Sequence, residues 1–307
     1  MHSPLRRQVV LSAALMPITG GAMATTEPLR VTYPRLLERP EHAFGYQVLE
    51  LALQRSGQPH ELRLGEQLIS SKAAWPQLEA GQVDVIDNGS AGKLAERVDL
   101  VPIPIDFGIG GCRLLLGRAE VLKRLKGLRR IEQLWPFVFG QGLDWTDSRI
   151  LRNAGLRVEE GDFSKLLRML EGGRFDLVPL GADEAHSILE RDRASSPQVQ
   201  IEPTLGLFYP YPRVFFVTRG NTALQSALSR GLRAAHADGS LAALLARTPG
   251  IGPILNGQRA LPRQLIALAN PWLPAQLRGL QPEHFHPALR APLRSVWSTS
   301  SKANGED

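Results

Sequence analysis

A polar segment, Asp87-Asn88-Gly89-Ser90, stands at the end of a short apolar run and contains groups that could hold a small ligand. Carboxylate, amide and hydroxyl groups exchange hydrogen bonds with a solute, and a glycine lets the solute approach the backbone closely. A polar turn uses the same residue types, so both interpretations are open. As a binding site, the segment would contribute the side chains of Asp87, Asn88 and Ser90.

A second candidate is the turn Gly140-Gln141-Gly142, which follows the apolar run 137–139. Backbone N–H groups in such a glycine-rich turn can bind an anion. The turn does not match a dinucleotide-binding motif, because Trp145 stands where the third glycine is needed. We therefore expect Gly140, Gln141 and Gly142 to contribute ligand contacts in a different kind of cleft.

Two single residues could also face a ligand. Tyr33 closes the first predicted strand, where it either stacks on a ligand or is an ordinary, partly buried aromatic residue. Arg113 lies in an apolar run beside Cys112, and a charge in such a run either faces a cleft or pairs with an acid.

Catalytic chemistry has little support in the residue pattern. The 7 histidines are scattered and no G-x-S-x-G motif occurs. Cys112 lies in an apolar run, which predicts a packed thiol rather than a nucleophile. Glu283-His284-Phe285-His286 could offer two imidazoles to a metal, but no third ligand is apparent and surface histidines are the simpler interpretation. We expect no enzyme activity, metal or cofactor; a dehydratase-like activity stays open, because it needs only one positioned acid or base.

Alternating apolar runs and helical patterns predict an α/β protein that positions these residues. The predicted strands are 29–33, 60–64, 83–87, 110–116, 137–139, 175–180 and 214–217. The predicted helices are 43–54, 72–80, 163–170 and 223–246, the last interrupted at 238–239, and a basic helical segment follows the strand 110–116 and runs through Arg130. The polar segment 298–307 is predicted to be disordered.

One phrase occurs twice. Leu78-Glu79-Ala80-Gly81-Gln82-Val83-Asp84 and Leu170-Glu171-Gly172-Gly173-Arg174-Phe175-Asp176 each read as a helix end, a glycine stop and an aspartate at the start of a strand. The recurrence predicts two equivalent α/β lobes.

The composition fits a folded chain of two lobes. It has 307 residues, 43% of them hydrophobic, and a net charge of +6 that is spread along the sequence. Because nucleic-acid binding needs clustered cations, we expect no nucleic-acid partner, and we expect a monomer. The single cysteine excludes an internal disulfide.

The first 24 residues have the pattern of an export signal. Two arginines, Arg6 and Arg7, precede the apolar run 9–16, and Ala22-Met23-Ala24 matches a cleavage site. We expect cleavage after Ala24 and release into the periplasm without membrane insertion. The general secretory route is favoured, although Arg6-Arg7 also fits a twin-arginine signal loosely. No cysteine lies near the cleavage site, which excludes a lipid anchor.

The chain resembles the family 3 extracellular solute-binding proteins, the bilobal receptors that deliver polar amino acids to ABC importers. The resemblance covers most of residues 28–247 and rests on the two repeated phrases. It also rests on the segment Tyr211-Pro212-Arg213-Val214-Phe215-Phe216-Val217-Thr218-Arg219-Gly220-Asn221, which is followed by Ala237-Asp238-Gly239-Ser240-Leu241.

The resemblance is weaker at the ligand site. The family arginine that holds a ligand α-carboxylate would correspond to Arg97, which stands one residue late and lacks the usual threonine. The family aspartate for the ammonium group would fall near Gly181, with Asp183 just beyond. An amino acid is therefore one candidate ligand among small polar solutes and carboxylates.

The resemblance implies a two-lobed periplasmic binding protein type II fold with mixed sheets and a two-strand hinge. Residues 28–112 and 213–285 would form the first lobe, 114–212 the second, and 286–307 a C-terminal extension. Segments 111–117 and 208–214 would form the hinge. The implied function is capture of a small polar solute for an ABC permease, or alternatively for a membrane sensor.

Overall fold

The computed structural model describes residues 27–38, 43–89 and 92–303. The predicted signal and Ser90 lie outside these residues. The described chain forms two groups of strands with helices packed against both, which confirms the predicted α/β architecture.

The first group begins with a β-α-β-α-β unit. Its elements are β1 (Leu29–Arg35), α1 (Phe44–Arg55), β2 (His60–Leu68), α2 (Ser71–Glu79) and β3 (Val85–Asn88). β1 pairs with β2 in parallel, and β3 pairs with β10 (Val214–Val217), which also pairs with β4 (Asp99–Val101). A 3-10 helix, Gly92–Glu96, precedes β4.

The second group is a six-stranded sheet in the order β11-β9-β5-β8-β6-β7. Its strands are β5 (Cys112–Arg118), β6 (Val138–Gly142), β7 (Arg157–Gly161), β8 (Leu177–Gly181), β9 (Val199–Phe208) and β11 (Gln264–Ala267). The helices between them are α3 (Ala119–Lys123), α4 (Thr146–Asn153), α5 (Leu166–Glu171) and α6 (Ala185–Arg191).

The remaining helices follow β10. They are α7 (Thr222–Ala237), α8 (Ser240–Leu245), α9 (Gly252–Leu255) and α10 (Pro287–Ala303). α7 packs on α1 of the first lobe. α10 covers 298–303 of the segment predicted to be disordered, and residues 304–307 lie outside the described chain.

The repeated phrase performs the same task in both lobes. The N–H of Asp84 donates to Thr32 O at 2.9 Å, and Asp84 Oδ2 accepts from Thr32 N at 2.7 Å. The N–H of Asp176 donates to Val138 O at 2.8 Å, and Asp176 Oδ2 accepts from Val138 N at 2.8 Å. Each aspartate thus fastens the start of a strand to the first strand of its unit. The two copies of the repeated phrase therefore have the same structural role.

Both faces of the six-stranded sheet are buried. Leu114 and Leu116 of β5 belong to the larger hydrophobic core, which extends into the first lobe. Leu115, between them, belongs to the second core on the opposite face. This alternation is what a strand with successive side chains on opposite faces requires.

The boundaries of the lobes differ from the sequence prediction in two ways. Cys112–Arg118 lies inside the second sheet, so the first crossing is 102–111 rather than 111–117. Gln264–Ala267, predicted to belong to the first lobe, pairs in parallel with β9 of the second. Its backbone completes the edge of that sheet beside Leu205–Phe208. The second crossing, 209–213, falls within the predicted segment.

Candidate functional site

Two adjoining cavities lie where the lobes meet, at the strand ends next to the two crossings. Their volumes are about 520 Å³ and about 200 Å³. They share Ser71 and Asn88 from the first lobe, Arg113 and Glu184 from the second, and Tyr211 from a crossing. Because five residues line both cavities, we treat them as one interlobe cleft.

A cluster around the buried carboxylate of Asp87 forms the first-lobe side of the cleft. Tyr33 Oη donates to Asp87 Oδ1, and Arg213 Nε donates to Asp87 Oδ2. Burial of the Tyr33 hydroxyl, together with the charge of Asp87, raises the pKa of Tyr33 well above its usual value. The Arg213 guanidinium also lies over the ring of Phe44, 5.4 Å from its centroid. Gly45 completes the cluster, because a Cβ there would overlap Asp87 Oδ1.

A second charge pair, Arg113 with Asp147, forms the second-lobe side. Arg113 Nη2 lies 2.8 Å from Asp147 Oδ1, and both side chains are 8% exposed. The guanidinium lies 5.0 Å from the ring centroids of Tyr209 and Tyr211. Tyr209 Oη donates to Asp147 Oδ1. Burial opposes the charge of Arg113, but the carboxylate of Asp147 outweighs it and raises the pKa of Arg113.

Three further carboxyl groups face the smaller cavity. Asp106 accepts backbone N–H bonds from Gly108 at 2.8 Å, Gly110 at 3.2 Å and Arg213 at 3.3 Å, so it joins the two crossings. Burial raises the pKa of Asp106 to about 6, and the charge of Asp183 adds to this effect. Burial also raises the pKa of Glu184, again with a contribution from Asp183.

The cleft includes four of the residues that the sequence singled out. Asp87, Asn88, Arg113 and Asp183 all line the smaller cavity. Arg113 satisfies both of its alternative interpretations, since it faces the cleft and is paired with an acid. Ser90 lies outside the described residues.

Arg97 does not line the cleft. Its side chain is 67% exposed and pairs with Glu79 at 3.4 Å. It lies between the 3-10 helix Gly92–Glu96 and β4, and it is absent from the residues that line either cavity. The structure therefore gives no carboxylate-binding role to this arginine.

Tyr33 and the glycine-rich turn pack beneath the residues that line the cleft and do not line it themselves. Tyr33 is 1% exposed, and its ring packs edge-on against Tyr46 with the two ring centroids 6.0 Å apart. It therefore has no free face for stacking on a ligand. Gly140, Gln141 and Gly142 continue β6 instead of following it. Gln141 is fully buried and donates to Pro179 O at 3.1 Å. Residues 144–147, which begin two positions after Gly142, line the cavity instead.

The sequence analysis did not identify several of the residues that line the cleft. Asp106, Asp147, Tyr211 and Arg213 line the cavities although none follows a predicted strand directly. Tyr211 and Arg213 stand in the segment that carried the family resemblance, which was a usable signal. Asp147 had none, because it is the second residue of an amphipathic helix, where an acid is ordinary helix chemistry.

The cysteine-nucleophile and histidine-metal alternatives find no support in the described residues. Cys112 is fully buried, and burial raises the pKa of its thiol to about 12, which confirms a packed thiol. His284 is half-buried against the His236 ring at 4.6 Å, so the expectation of surface histidines is wrong for this residue. Within the described ranges, no group of three or more His, Cys, Asp or Glu side chains is placed to hold a metal ion.

Comparison with solved structures shows the fold. A structure from Streptococcus mutans, described with glutathione import by GshT and the cystine ABC importer TcyBC, matches with a TM-score of 0.51 at 11% identity. The match covers 73% of this chain and 95% of that chain. The chain has the two-lobed fold of the periplasmic binding proteins.

Two other matches have TM-scores just below one half. An ancestral arginine-binding protein bound to arginine matches at 0.49 with 19% identity, over 72% of this chain and 97% of that chain. A histidine kinase sensor domain with similarity to periplasmic binding proteins matches at 0.48 with 17% identity, over 72% and 96%. No protein-family model matches the sequence, and a search of curated proteins found no match.

None of the helices in the described ranges is long and apolar enough to cross a membrane.

Proposed function

We propose that this protein captures a small polar solute in the interlobe cleft and closes around it. The observation that carries the proposal is that polar side chains from both lobes line one cavity. Asp87 and Asn88 come from the first lobe, Asp183 and Glu184 from the second, and Arg213 from a crossing. Small-molecule sites are concave and contain a few convergent polar groups, as this cleft does.

Closure would proceed by rotation of the lobes about the crossings 102–111 and 209–213. A solute shifts the population towards the closed form only if it makes extra contacts there. A cleft whose charged groups are divided between two lobes meets this condition, because a solute bound to one lobe gains contacts with the other on closing.

We propose a binding role rather than catalysis, in the periplasm after removal of the export signal. In this role the closed form is recognised by an ABC permease, which imports the solute. A membrane sensor could read the same closed form, and this stays the alternative. Permease and ATPase genes beside the coding sequence favour import, and a kinase or cyclase gene favours sensing.

The test is mass spectrometry of small molecules that copurify with the exported protein. The expected result is one polar solute at near-stoichiometric amount, recovered chemically unchanged after prolonged incubation with the protein. Turnover of the solute would favour the dehydratase alternative. A protein that retains no solute, and binds none from a panel of amino acids, amines and small carboxylates, would contradict the proposal.

A further inference from the structure

The segment 268–286, which leads from β11 to α10, is fastened to the second lobe at its start. Leu268 N donates to Phe208 O at 2.7 Å, in continuation of the pairing of β11 with β9. The guanidinium of Arg149, in α4, lies 4.5 Å from the ring centroid of Trp272. The Trp272 side chain packs against the second hydrophobic core. The first part of the segment is therefore held by the second lobe.

The same segment then binds both crossings. Asn270 Nδ2 donates to Pro210 O of the second crossing at 2.9 Å. His286 N donates to Phe107 O of the first crossing, also at 2.9 Å. The two parts of the chain about which the lobes would rotate are thus each hydrogen-bonded to one short segment.

The end of the segment lies against the first crossing and the first lobe. Phe285 is fully buried and packs so closely on Gly108 that a Cβ on this glycine would overlap the ring. The centroid of the His284 ring lies 4.6 Å from that of His236 in α7, which packs on α1 of the first lobe. His236 Nε2 in turn lies 2.9 Å from Pro104 O of the first crossing. The segment therefore runs from the second lobe to the first and contacts each crossing on the way.

These contacts belong to an arrangement in which the cleft is open. Cavities of about 520 Å³ and about 200 Å³ lie between the lobes. Among the described residues, no ion pair joins a side chain of the first lobe to one of the second. Closure requires the backbone of the crossings to rotate. Rotation at Pro210 or Phe107 would move the carbonyl groups that accept from Asn270 and His286, so closure would strain or break these bonds.

We propose that the segment 268–286 is a brace on the hinge, which stabilises the open cleft and opposes closure around a solute. The inference rests on the proposed function, because a brace matters only if the lobes move. Contacts made only in the open form subtract from the free energy that a bound solute supplies for closure. The brace therefore lowers the apparent affinity for the solute, and weakening the brace should raise it.

A double variant weakens the brace without changing the cleft. Asn270→Ala removes the bond to Pro210 O, and His284→Ala removes the ring contact with His236. Neither residue lines either cavity. Asn270→Ala alone is the milder form, and it should act in the same direction if the double variant folds poorly.

The matched control lies within the first lobe. Asn256→Ala removes an amide hydrogen bond to Ala246 O, and His60→Ala removes a contact of 2.9 Å with Gln58 O. Like the brace variant, the control loses one asparagine and one histidine contact, but it leaves both crossings unchanged. Urea midpoints of the two double variants verify that both are folded.

Spin labels report movement of the lobes without any solute. Glu66→Cys in β2 and Lys165→Cys before α5 place one label at an exposed position of each lobe. Cys112 is fully buried and burial raises the pKa of its thiol to about 12, so it stays unlabelled. In the solute-free exported protein, the distribution of distances between the labels should widen or gain a second population in the brace variant. In the control it should match that of the otherwise unchanged protein.

Affinity is measured with one stock of the small molecules that wild-type protein releases on denaturation. The stock is titrated into each protein after removal of its own small molecules, with the fluorescence of Trp75 and Trp145, which line the larger cavity, as the signal. The brace variant should be half-saturated at a concentration about threefold to tenfold lower than the wild type requires, and the control within about twofold of it.

The outcomes separate this inference from the proposed function. Equal distance distributions in the brace variant and the control would overturn the inference, whatever the solute is. Unchanged or weaker binding of the stock by the brace variant would also overturn it and leave solute capture standing. If the wild-type protein releases no small molecule and binds none, the proposed function fails, and the label distances alone decide whether the brace restrains the lobes.

Discussion

The guanidinium of Arg113 lies 2.8 Å from the carboxylate of Asp147, and both side chains are almost completely buried. The pair stands on the second-lobe wall of the cleft, between a strand and the first turn of a helix. The Arg113 charge is therefore balanced before any solute arrives. We expect this pair to stabilise the second-lobe wall of the cleft.

Removing Asp147 should destabilise the protein strongly. Asp147→Ala leaves the buried guanidinium of Arg113 without its anion and Tyr209 without its acceptor. The expected loss in the free energy of unfolding is about 3 kcal/mol, measured by urea denaturation. Glu159→Gln, which breaks an exposed pair, should change it by less than about 1 kcal/mol. Equal effects of the two substitutions would contradict the buried pairing.

Asp84 and Asp176, which each fasten the start of one strand to another, should contribute similarly to the free energy of unfolding. Asp84→Ala and Asp176→Ala each remove a carboxylate that accepts a backbone N–H, from Thr32 and Val138 respectively. Each substitution should lower the free energy of unfolding by about 1–3 kcal/mol, as read from urea midpoints. A large loss in one variant with none in the other would show that the two repeated phrases are not structurally equivalent.

Asp106 should make stability depend on pH. Its pKa is raised from 3.8 to about 6, so the folded protein holds this proton more tightly than the unfolded chain. The resulting stabilisation is present below about pH 4 and is lost as pH rises through about 6. As pH rises between these limits, the free energy of unfolding of the wild-type protein should fall by about 3 kcal/mol relative to that of Asp106→Asn. Parallel stability curves for the two proteins, measured by denaturation from pH 4 to 7, would contradict this.

Gly45 should tolerate no side chain. A Cβ at this position overlaps Asp87 Oδ1, so Gly45→Ala must displace the carboxylate that holds Tyr33 and Arg213. We expect a loss of about 1–3 kcal/mol in urea denaturation, together with weaker solute binding. Gly65→Ala is the control, because its Cβ would meet no atom closer than 3.6 Å. An unchanged free energy of unfolding in Gly45→Ala would mean that the Asp87 carboxylate is less closely packed against Gly45 than described.

The sequence predicted the elements that are apolar and continuous. β10 was predicted with its observed limits, Val214–Val217, because four apolar residues form a clear run. β7 was missed because Arg157, Glu159 and Glu160 give it a polar composition. β9 was missed because Glu202 and Pro203 interrupt its apolar pattern. Glu202 is nevertheless accommodated, since it accepts from Thr204 N at 2.9 Å.

The site was predicted where a polar residue follows a strand, as with Asn88, and where the family resemblance pointed to a position, as with Asp183. It was not predicted where a partner comes from a distant part of the chain. Arg213 is 126 residues from Asp87, and no local pattern joins them. Their pairing depends on β10 lying beside β3, which is a property of the fold rather than of either segment.

Small-angle X-ray scattering of the exported protein tests most directly whether the cleft closes around a solute. Scattering is compared for protein stripped of its endogenous small molecules and for the same protein after that fraction is returned. The account predicts a smaller radius of gyration with the fraction present, and a reduced or absent change in Glu184→Gln but not in Glu159→Gln. Identical scattering in both states, with binding verified by mass spectrometry, would contradict closure of the two lobes.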